Sequence, residues 1–418
     1  MSEHADLLII GAGPAGINAA LAAAPSGARI VLLDDNPRPG GQIWRDGPQA
    51  VLPALASQLR DRLQACKNVQ LHCGTRVIAR PAAHQLLVEN DERGWIIGYD
   101  TLILCTGARE LLLPFPGWTL PGVTGAGGLQ ALIKGGLPVA NERVVIAGSG
   151  PLLLASAHTA QKNNAQLIRI AEQASTRAVG AFAAHLPRWP RKLVQALQLF
   201  SPSYRTASHV LAALGNARLE GVRLMQQGKV VELACERLAC GFGLVPNTQL
   251  GQALGCALHG PGIHVDAWQA TSLPAHFAAG ECTGFGGSEL ALIEGRIAGL
   301  AAVGERVAAE RLWPQRAHWQ GFATALNRAF ALSPALNTLC EPDTLVCRCE
   351  DVPFSALQPH RSWREAKLAS RCGMGACQGR VCGAATAQLF GWQPSAPRPP
   401  YSPARIETLL CIDDRPPT

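Results

Sequence analysis

The sequence predicts an α/β protein built from two dinucleotide-binding βαβ domains, with a small, mainly helical, cysteine-bearing domain near its C-terminal end. Three observations predict it. A short apolar strand runs into a Gly-x-Gly-x-x-Gly turn at Gly11, Gly13 and Gly16 and then into an Ala-rich helix. The stretch "NERVVIAGSGPLLLASA" repeats strand, turn and helix, and beyond Cys340 cysteines crowd into "CRCE" and "RCGMGACQGRVC".

With 418 residues, of which 48% are hydrophobic, the chain can bury the cores of two or three domains. The formal charge of +7 is small for this length, and Lys and Arg are scattered, which argues against nucleic acid as the main partner. The first residues lack the basic start, apolar core and cleavage site of a signal peptide, and no apolar stretch reaches about 18 residues without interruption. The expected location is therefore the cytoplasm, with at most peripheral membrane contact. In that reducing compartment fourteen cysteines do not read as a disulfide framework. Most are expected to be small buried hydrophobes, and those with a chemical task to be clustered ligands.

In the first turn Gly11 permits the tight bend, Gly13 lets backbone approach a pyrophosphate, and Gly16 lets helix pack on strand. Pro14 and Ala15 open the helix, whose N-terminus offers amide donors and positive potential. The next strand, "ARIVLLDD", ends in Asp34 and Asp35, with Asp34 placed to bond a ribose hydroxyl.

With "DDNPRPGGQIWR", "TLILCTGARE" and "FAAGECTGFGGSELALIEGRIAG", this half resembles the glutathione-reductase-like flavoproteins, which have two Rossmann-like dinucleotide-binding domains. The resemblance implies FAD, held by the first turn with Asp34, Asp35, Gly41, Gln42, Arg45 and Val77, by a Thr-Gly turn at Thr106 and Gly107, and by a distal motif at Gly280, Glu281 and Leu290. Glu281 stands where the family has an Asp for the ribityl chain, and the helix near Leu290 would point its N-terminus at the flavin ring. The redox cysteine pair of the family's disulfide reductases is missing from both of its usual places, so dithiol chemistry is not expected.

The second turn keeps Gly148 and Gly150, but Leu153 replaces the third glycine, and the following strand ends in Glu172. Three readings stay open for it: an NAD(P) site, an adenine-nucleotide site without hydride transfer, or a relic retained for packing. Beyond it, "RAVGAFAAHLPRWPRKLVQALQLFSPSYRT" is read as helical cover for the core, with a docking surface for a partner as the sharper alternative. "CGFGLVPNTQL" then looks like the hinge back to the flavin domain.

Near the C-terminal end, Cys347 and Cys349 form C-x-C while Cys377 and Cys382 form C-x4-C, with Cys382 opening a helix. Two close pairs on turns are the way thiolates are presented to iron or zinc. "CRCE" and "GMG-CQGR-C" resemble the bacterioferritin-associated-ferredoxin-like 2Fe-2S domain. The variant is the one found in the large flavoprotein subunit of heteromeric opine, proline and hydroxyproline dehydrogenases and of hydrogen cyanide synthase. That resemblance implies a 2Fe-2S cluster on Cys347, Cys349, Cys377 and Cys382; Cys372, just before "GMG", departs from the pattern and offers a fifth thiol that could displace a ligand or shuffle. It also implies a hetero-oligomer, in which an amine-oxidising FAD subunit holds the substrate and a small ferredoxin-like subunit often accompanies it.

The domain division expected is 1–118 with 257–312 for FAD, 119–256 for the degenerate second domain with a helical insertion near 177–206, a connecting segment at 313–340, the cluster domain at 341–395, and an extended Pro-rich tail at 396–418. His72, His84 and the other histidines read as isolated, so no catalytic base is assigned. The expected function is electron transfer from a partner's amine oxidation to a one-electron acceptor. Against it stand a self-contained NAD(P)H oxidoreductase and a scaffold with a zinc-bound tail.

Overall fold

The computed structural model describes residues 3–48, 50–393 and 396–412. The chain forms two compact units: residues 1–109, 246–324 and 396–418 make the first, and residues 110–245 and 325–395 the second.

The first unit opens with β1 (Glu3–Ile10), α1 (Pro14–Ala23) and β2 (Ile30–Leu33). It continues with α2 (Ala54–Ala65), β3 (Val69–His72), β4 (Arg76–Ala82), β5 (Gln85–Glu89) and β6 (Gly94–Leu104). Its sheet has the order β3-β2-β1-β6-β5-β4, and a late strand, His276–Ala278, adds in parallel to β6. All four residues of β2 are buried, as both faces of a parallel sheet require. The C-terminal half of β6 pairs in parallel with β1, and its N-terminal half pairs antiparallel with β5. One long strand thus joins a nucleotide-binding sheet to a meander. The helix Gly287–Ala302 lies on α1 so closely that a Cβ at Gly295 or Gly299 would overlap the carbonyl of Ala15 or Ala19. Ala and Gly on both helices make that approach feasible.

In the second unit, β7 (Ala108–Glu110) leads from the first. Next come β8 (Val123–Gly125), α3 (Ala126–Lys134), β9 (Arg143–Gly148), α4 (Leu152–Lys162) and β10 (Gln166–Glu172). The helices α5 (Thr176–His185) and α6 (Pro190–Leu199) precede β11 (Tyr204–Arg205), β12 (Ser208–Leu214), β13 (Gly221–Gln226), β14 (Lys229–Ala234) and β15 (Arg237–Gly241). A parallel sheet of order β11-β10-β9-β15-β8 carries the nucleotide-type half, and β12-β13-β14 forms an antiparallel meander. Leu153 is fully buried between α4 and the sheet, so the missing third glycine is replaced by apolar packing.

Several sequence expectations change here. The insertion is helical, but α5 and α6 bury none of their residues, and only Leu186 and Trp189 between them are sunk. Val194, Leu197 and Phe200 are 52%, 69% and 70% exposed, so the insertion does not cover a core. The expected connector contains a 17-residue helix, Trp313–Ala329, and the division between units falls inside it.

The cysteine segment has a small core of its own around Leu357, Trp363 and Ala385, yet it belongs to the second unit. Val381 and Ala384 pack on that unit's main core, and the Trp118 indole donates to the Leu345 carbonyl at 2.6 Å. The Pro-rich tail is extended only in part. It lies along the first unit, where Tyr401 N–H donates to Ile78 O and Arg405 N–H to Glu89, and it then makes a helical turn, Ile406–Leu410. No helix among the described residues is long and apolar enough to cross a membrane.

Candidate functional site

At the first turn β1 delivers Gly11 to the C-terminal edge of the sheet. Gly16 lies so near Gly11 that a Cβ there would overlap the Gly11 carbonyl, which fixes α1 against the strand end. Gly13 faces Gly41, whose added Cβ would stand 3.1 Å from Gly13 Cα, so two backbones meet with no side chain between them. Pro14 opens α1 and Ala15 is buried beneath it. Asp34 is buried and committed: one oxygen accepts from Ala12 N–H at 2.6 Å, the other from the backbone and side-chain N–H groups of Asn36 at 2.8 Å. It clamps the turn, while Asp35 is exposed beside it.

A groove of about 380 Å³ opens here, lined by Asn36, Arg38, Gly41, Arg45 and Asp46 among others. Arg45 donates to Asn36 and to the exposed Gln42, yet its Nε is buried without an acceptor. A buried guanidinium N–H left unmet, next to a helix N-terminus, fits a phosphate-bearing ligand. Val77 sits in β4 opposite Val88.

The Thr106–Gly107 turn is locked by Asn247, which sequence reasoning missed. Thr106 Oγ1 donates to Asn247 O at 2.6 Å, the Asn247 amide returns a bond to Thr106 O at 2.9 Å, and Asn247 N–H reaches Gly107 O. Only a residue in the hinge segment, far away in sequence, could supply this clasp.

The distal motif sits on α1, since a Cβ at Gly280 would lie 2.9 Å from that of Ala15. Its helix starts at Gly287, three residues before Leu290, which is buried. Burial pushes the Glu281 carboxyl up, and it makes no hydrogen bond with a described residue. A half-buried carboxylate with no hydrogen bond to a described residue is what a ligand hydroxyl would satisfy, so these residues fit a flavin dinucleotide. Glu294 was not foreseen either. It is buried on the helix and accepts from Gly280 N–H at 3.0 Å, holding the motif's turn, and burial drives it up to about 7 against Gly280, Arg316 and Thr283.

The second turn has a corresponding acid and a covering segment of its own. Glu172 is fully buried and turned inward, with its oxygens accepting from Gly150 N–H at 2.7 Å, Ala174 N–H at 2.9 Å and Tyr204 OH at 3.3 Å. Burial raises its pKa to about 7 despite those amide bonds. Gly148 packs on Gly241, where a Cβ would overlap the carbonyl. Over the turn lies the segment after the helix Trp313–Ala329. Ser149 Oγ donates to Phe330 O at 2.8 Å, Gln173 donates to Ser149 Oγ and Ala331 O at 3.0 Å, and Ser333 N–H donates back to Gln173. Phe330 meets Phe182 of α5 edge to face. Close by, Glu110 fills the N-terminus of α3, accepting from Gly127 and Gly128 N–H at 2.7 and 2.9 Å. The chain's own segment around Phe330 thus lies over the second turn.

Glu172 provides a stability test. A carboxyl held at about 7 in the fold and near 4.5 when unfolded keeps a proton that the unfolded chain has lost. Its contribution is therefore most favourable below about 4.5 and declines as pH rises to about 7, by roughly 3 kcal/mol. Denaturant unfolding of wild type and Glu172→Gln at about pH 5 and about pH 8 should show the wild type losing more stability than the variant. Equal losses would contradict the assignment.

The histidines are less isolated than expected. His84, Tyr99 and His276 form a ring cluster, with Tyr99 OH and His276 Nε2 3.2 Å apart, and burial lowers the His276 pKa.

The cysteines converge as a buried trio, Cys347, Cys372 and Cys382, and a pair, Cys349 and Cys377. Cys382, the first residue of the helix Cys382–Phe390, is in hydrogen-bonding contact with Cys347, and Cys349 with Cys377. Backbone N–H groups of Gly373, Glu350 and Cys349 point at the Cys347 sulfur, and those of Val381, Gly379 and Arg380 at that of Cys377. Burial pushes the Cys377 thiol up, but the amides and Cys349 bring it below its ordinary value. A Cβ at Gly375 would overlap Cys349 Cβ, so the loop closes down on the C-x-C turn. The four sulfurs do not all fall within 4.8 Å of one another, as thiolates round one tetrahedral ion would. Buried and half-buried thiols brought together in this way are compatible with a thiolate-bound iron–sulfur cluster. Cys372 lies within 4.8 Å of both Cys347 and Cys382.

The profile of the pyridine nucleotide-disulphide oxidoreductase family matches residues 5–305. The chain is 30% identical to an opine oxidase subunit of Rhizobium meliloti, over 93% of this chain and 82% of that protein. It is 32% identical to hydrogen cyanide synthase subunit HcnB of Pseudomonas aeruginosa, over 90% of each. Among solved structures, L-proline dehydrogenase from P. horikoshii superposes with a TM-score of 0.68 at 17% identity, covering 98% of this chain and 80% of that one. Thioredoxin reductase of T. acidophilum gives 0.57 at 22% identity, over 73% of this chain and all of that one. At such identities the two structures speak for the fold alone.

Proposed function

Because this chain belongs to the pyridine nucleotide-disulphide oxidoreductase family, we propose that it is the FAD- and 2Fe-2S-containing electron-transfer subunit of a heteromeric dehydrogenase that oxidises the carbon–nitrogen bond of an amino acid or opine. That it is an oxidoreductase follows from the family and its relatives. The observation that carries the finer reading is the convergence of the C-x-C and C-x4-C segments, which brings Cys347 and Cys382 together and Cys349 beside Cys377. The family implies FAD, and the names of both relatives describe subunits.

When bound, FAD would take up two electrons and release them singly, and a 2Fe-2S cluster would carry one at a time. The chain's own residues bind and orient. Arg45 and the N-terminus of α1 would hold the pyrophosphate, Gly13 and Gly41 would leave its path clear, Glu281 would take a ribityl hydroxyl, and Glu294 holds the turn that carries Glu281. Cys347, Cys349, Cys377 and Cys382 would hold the cluster, with Trp363 close over Gly373 and Gly379. The substrate would sit on a partner amine-oxidising flavoprotein, and a small ferredoxin-like chain would be a further member.

The test is purification from the native cell, identification of co-purifying chains, and dye-linked oxidation of proline, hydroxyproline, glycine and opines by the complex and by this chain alone. Activity is expected only in the complex. Full activity of the isolated chain would refute the subunit reading.

The covered second turn opposes a self-contained NAD(P)H enzyme. NADH or NADPH mixed anaerobically with the flavin-loaded protein should not bleach the flavin within a catalytic turnover, and calorimetry with ATP or NADH should detect no binding tighter than about millimolar. Micromolar binding would show that the Phe330 segment moves aside.

A further inference from the structure

We propose that Cys372 is a reserve ligand for the cluster, placed to replace Cys347 or Cys382 when either is lost. The inference rests on the iron–sulfur reading above.

The two thiol pairs are unequal. Cys349 is exposed and Cys377 half-buried, whereas Cys347, Cys372 and Cys382 are all buried, with their sulfurs mutually within 4.8 Å. Cys382 is in hydrogen-bonding contact with Cys372 as well as with Cys347. Among the described residues, no such three-thiol group includes Cys349 or Cys377. One iron would therefore have three thiols within reach and the other only two.

Cys372 is also held where it is. The helix Trp363–Ser370 ends in a left-handed residue, Arg371, with φ 64°, which turns the chain toward the cluster loops. Arg371 Nε pairs with Glu350 Oε2 at 2.7 Å, fastening that turn to the C-x-C turn, and Cys372 N–H donates to Ser370 Oγ at 3.3 Å. Gly373 beneath the Trp363 ring fixes the other side, since a Cβ there would lie 2.5 Å from the indole.

If a serine or alanine vacates position 347 or 382, Cys372 Sγ–H gives its proton to solvent and the sulfur forms the iron–sulfur bond at the open coordination place. No electron changes hands, and the cluster's iron and sulfide are retained. Among the described residues, no third thiol forms such a group with Cys349 and Cys377.

The experiment uses the full chain and measures iron and acid-labile sulfide per FAD, with visible circular dichroism and the paramagnetic resonance of the reduced cluster. FAD content reports that each variant is folded. Cys349→Ser and Cys377→Ser should lose iron on the order of tenfold or more. Cys382→Ser and Cys347→Ser should keep most of it with an altered dichroism spectrum, and Cys372→Ala should keep all of it. The double variant Cys372→Ala with Cys382→Ser should fall to the level of Cys349→Ser. Loss of iron from Cys382→Ser with FAD still bound would overturn the reserve-ligand inference alone, as would a double variant that holds as much iron as Cys382→Ser. Wild-type protein carrying zinc and no sulfide would overturn the iron–sulfur reading and this inference together.

Discussion

Gly295→Val is expected to strip the flavin from the first unit and to leave most of the protein insoluble. The residue faces the backbone of α1, not a side chain that could turn away, and even a methyl would overlap the Ala15 carbonyl. Relief requires the helix Gly287–Ala302 to lift off α1, which separates the two elements bearing the distal motif and the first turn. Overpacking of this kind should exceed about 4 kcal/mol, a large share of a domain's stability of roughly 5–15 kcal/mol. FAD absorbance per chain after size exclusion and a thermal melt measure it. Gly180→Ala is the control: it lies on exposed α5 with nothing within 4 Å of a new Cβ, and it should be neutral or stabilising by about 0.5–1 kcal/mol. A flavin-replete Gly295→Val would mean that the helices can part without consequence.

Gly375→Ala should remove the cluster without touching a ligand. The added carbon would overlap Cys349 Cβ and stand 3.1 Å from a Glu350 oxygen, so the C-x-C turn must withdraw from Cys377. Displacing one ligand of a two-iron site is expected to lower iron per FAD by on the order of tenfold or more. The flavin should stay, because Gly375 belongs to the second unit and every residue assigned to FAD to the first. Iron and sulfide assays, with FAD as internal standard, decide it. Full iron content in the variant would place the cluster elsewhere or show that Cys349 is not a ligand.

These two cases mark what was legible in the sequence. Gly11, Gly13 and Gly16 announce themselves because a tight turn, a strand and a helix leave a local pattern. Cys347, Cys349, Cys377 and Cys382 stand out because the spacing within a close cysteine pair is local as well. Cys372 could be noticed as an extra thiol, but its nearness to Cys347 and Cys382 depends on how the chain turns at Arg371. Asn247, Glu294 and the Phe330 segment could not be read, since each meets its partner through tertiary contacts remote in sequence.

The two acids at the strand ends illustrate a different limit. Spacing put Asp34 and Glu172 at the ends of their strands, but did not show that each would spend its oxygens on the amides of its own turn. The apolar residues of the insertion followed a helical pattern, yet the pattern is silent on whether that face turns inward. Here Val194, Leu197 and Phe200 are at the surface.

The tail along β4 and β5 bears on how the protein is made. The chain leaves the first unit after Arg109, returns at Pro246, leaves again after Thr324 and returns at Ala396. During vectorial synthesis β1 to β6 emerge early, but the strand that completes the β6 edge, His276–Ala278, follows only after most of the second unit has been translated. The residues that engage Ile78 and Glu89 come last of all. The nascent first unit therefore waits with an open sheet edge and an uncovered meander, a stage at which chaperone binding competes with aggregation. Because the residues assigned to FAD extend to Gly280, Glu281 and Leu290, a chain translated only as far as β6 lacks part of the flavin site.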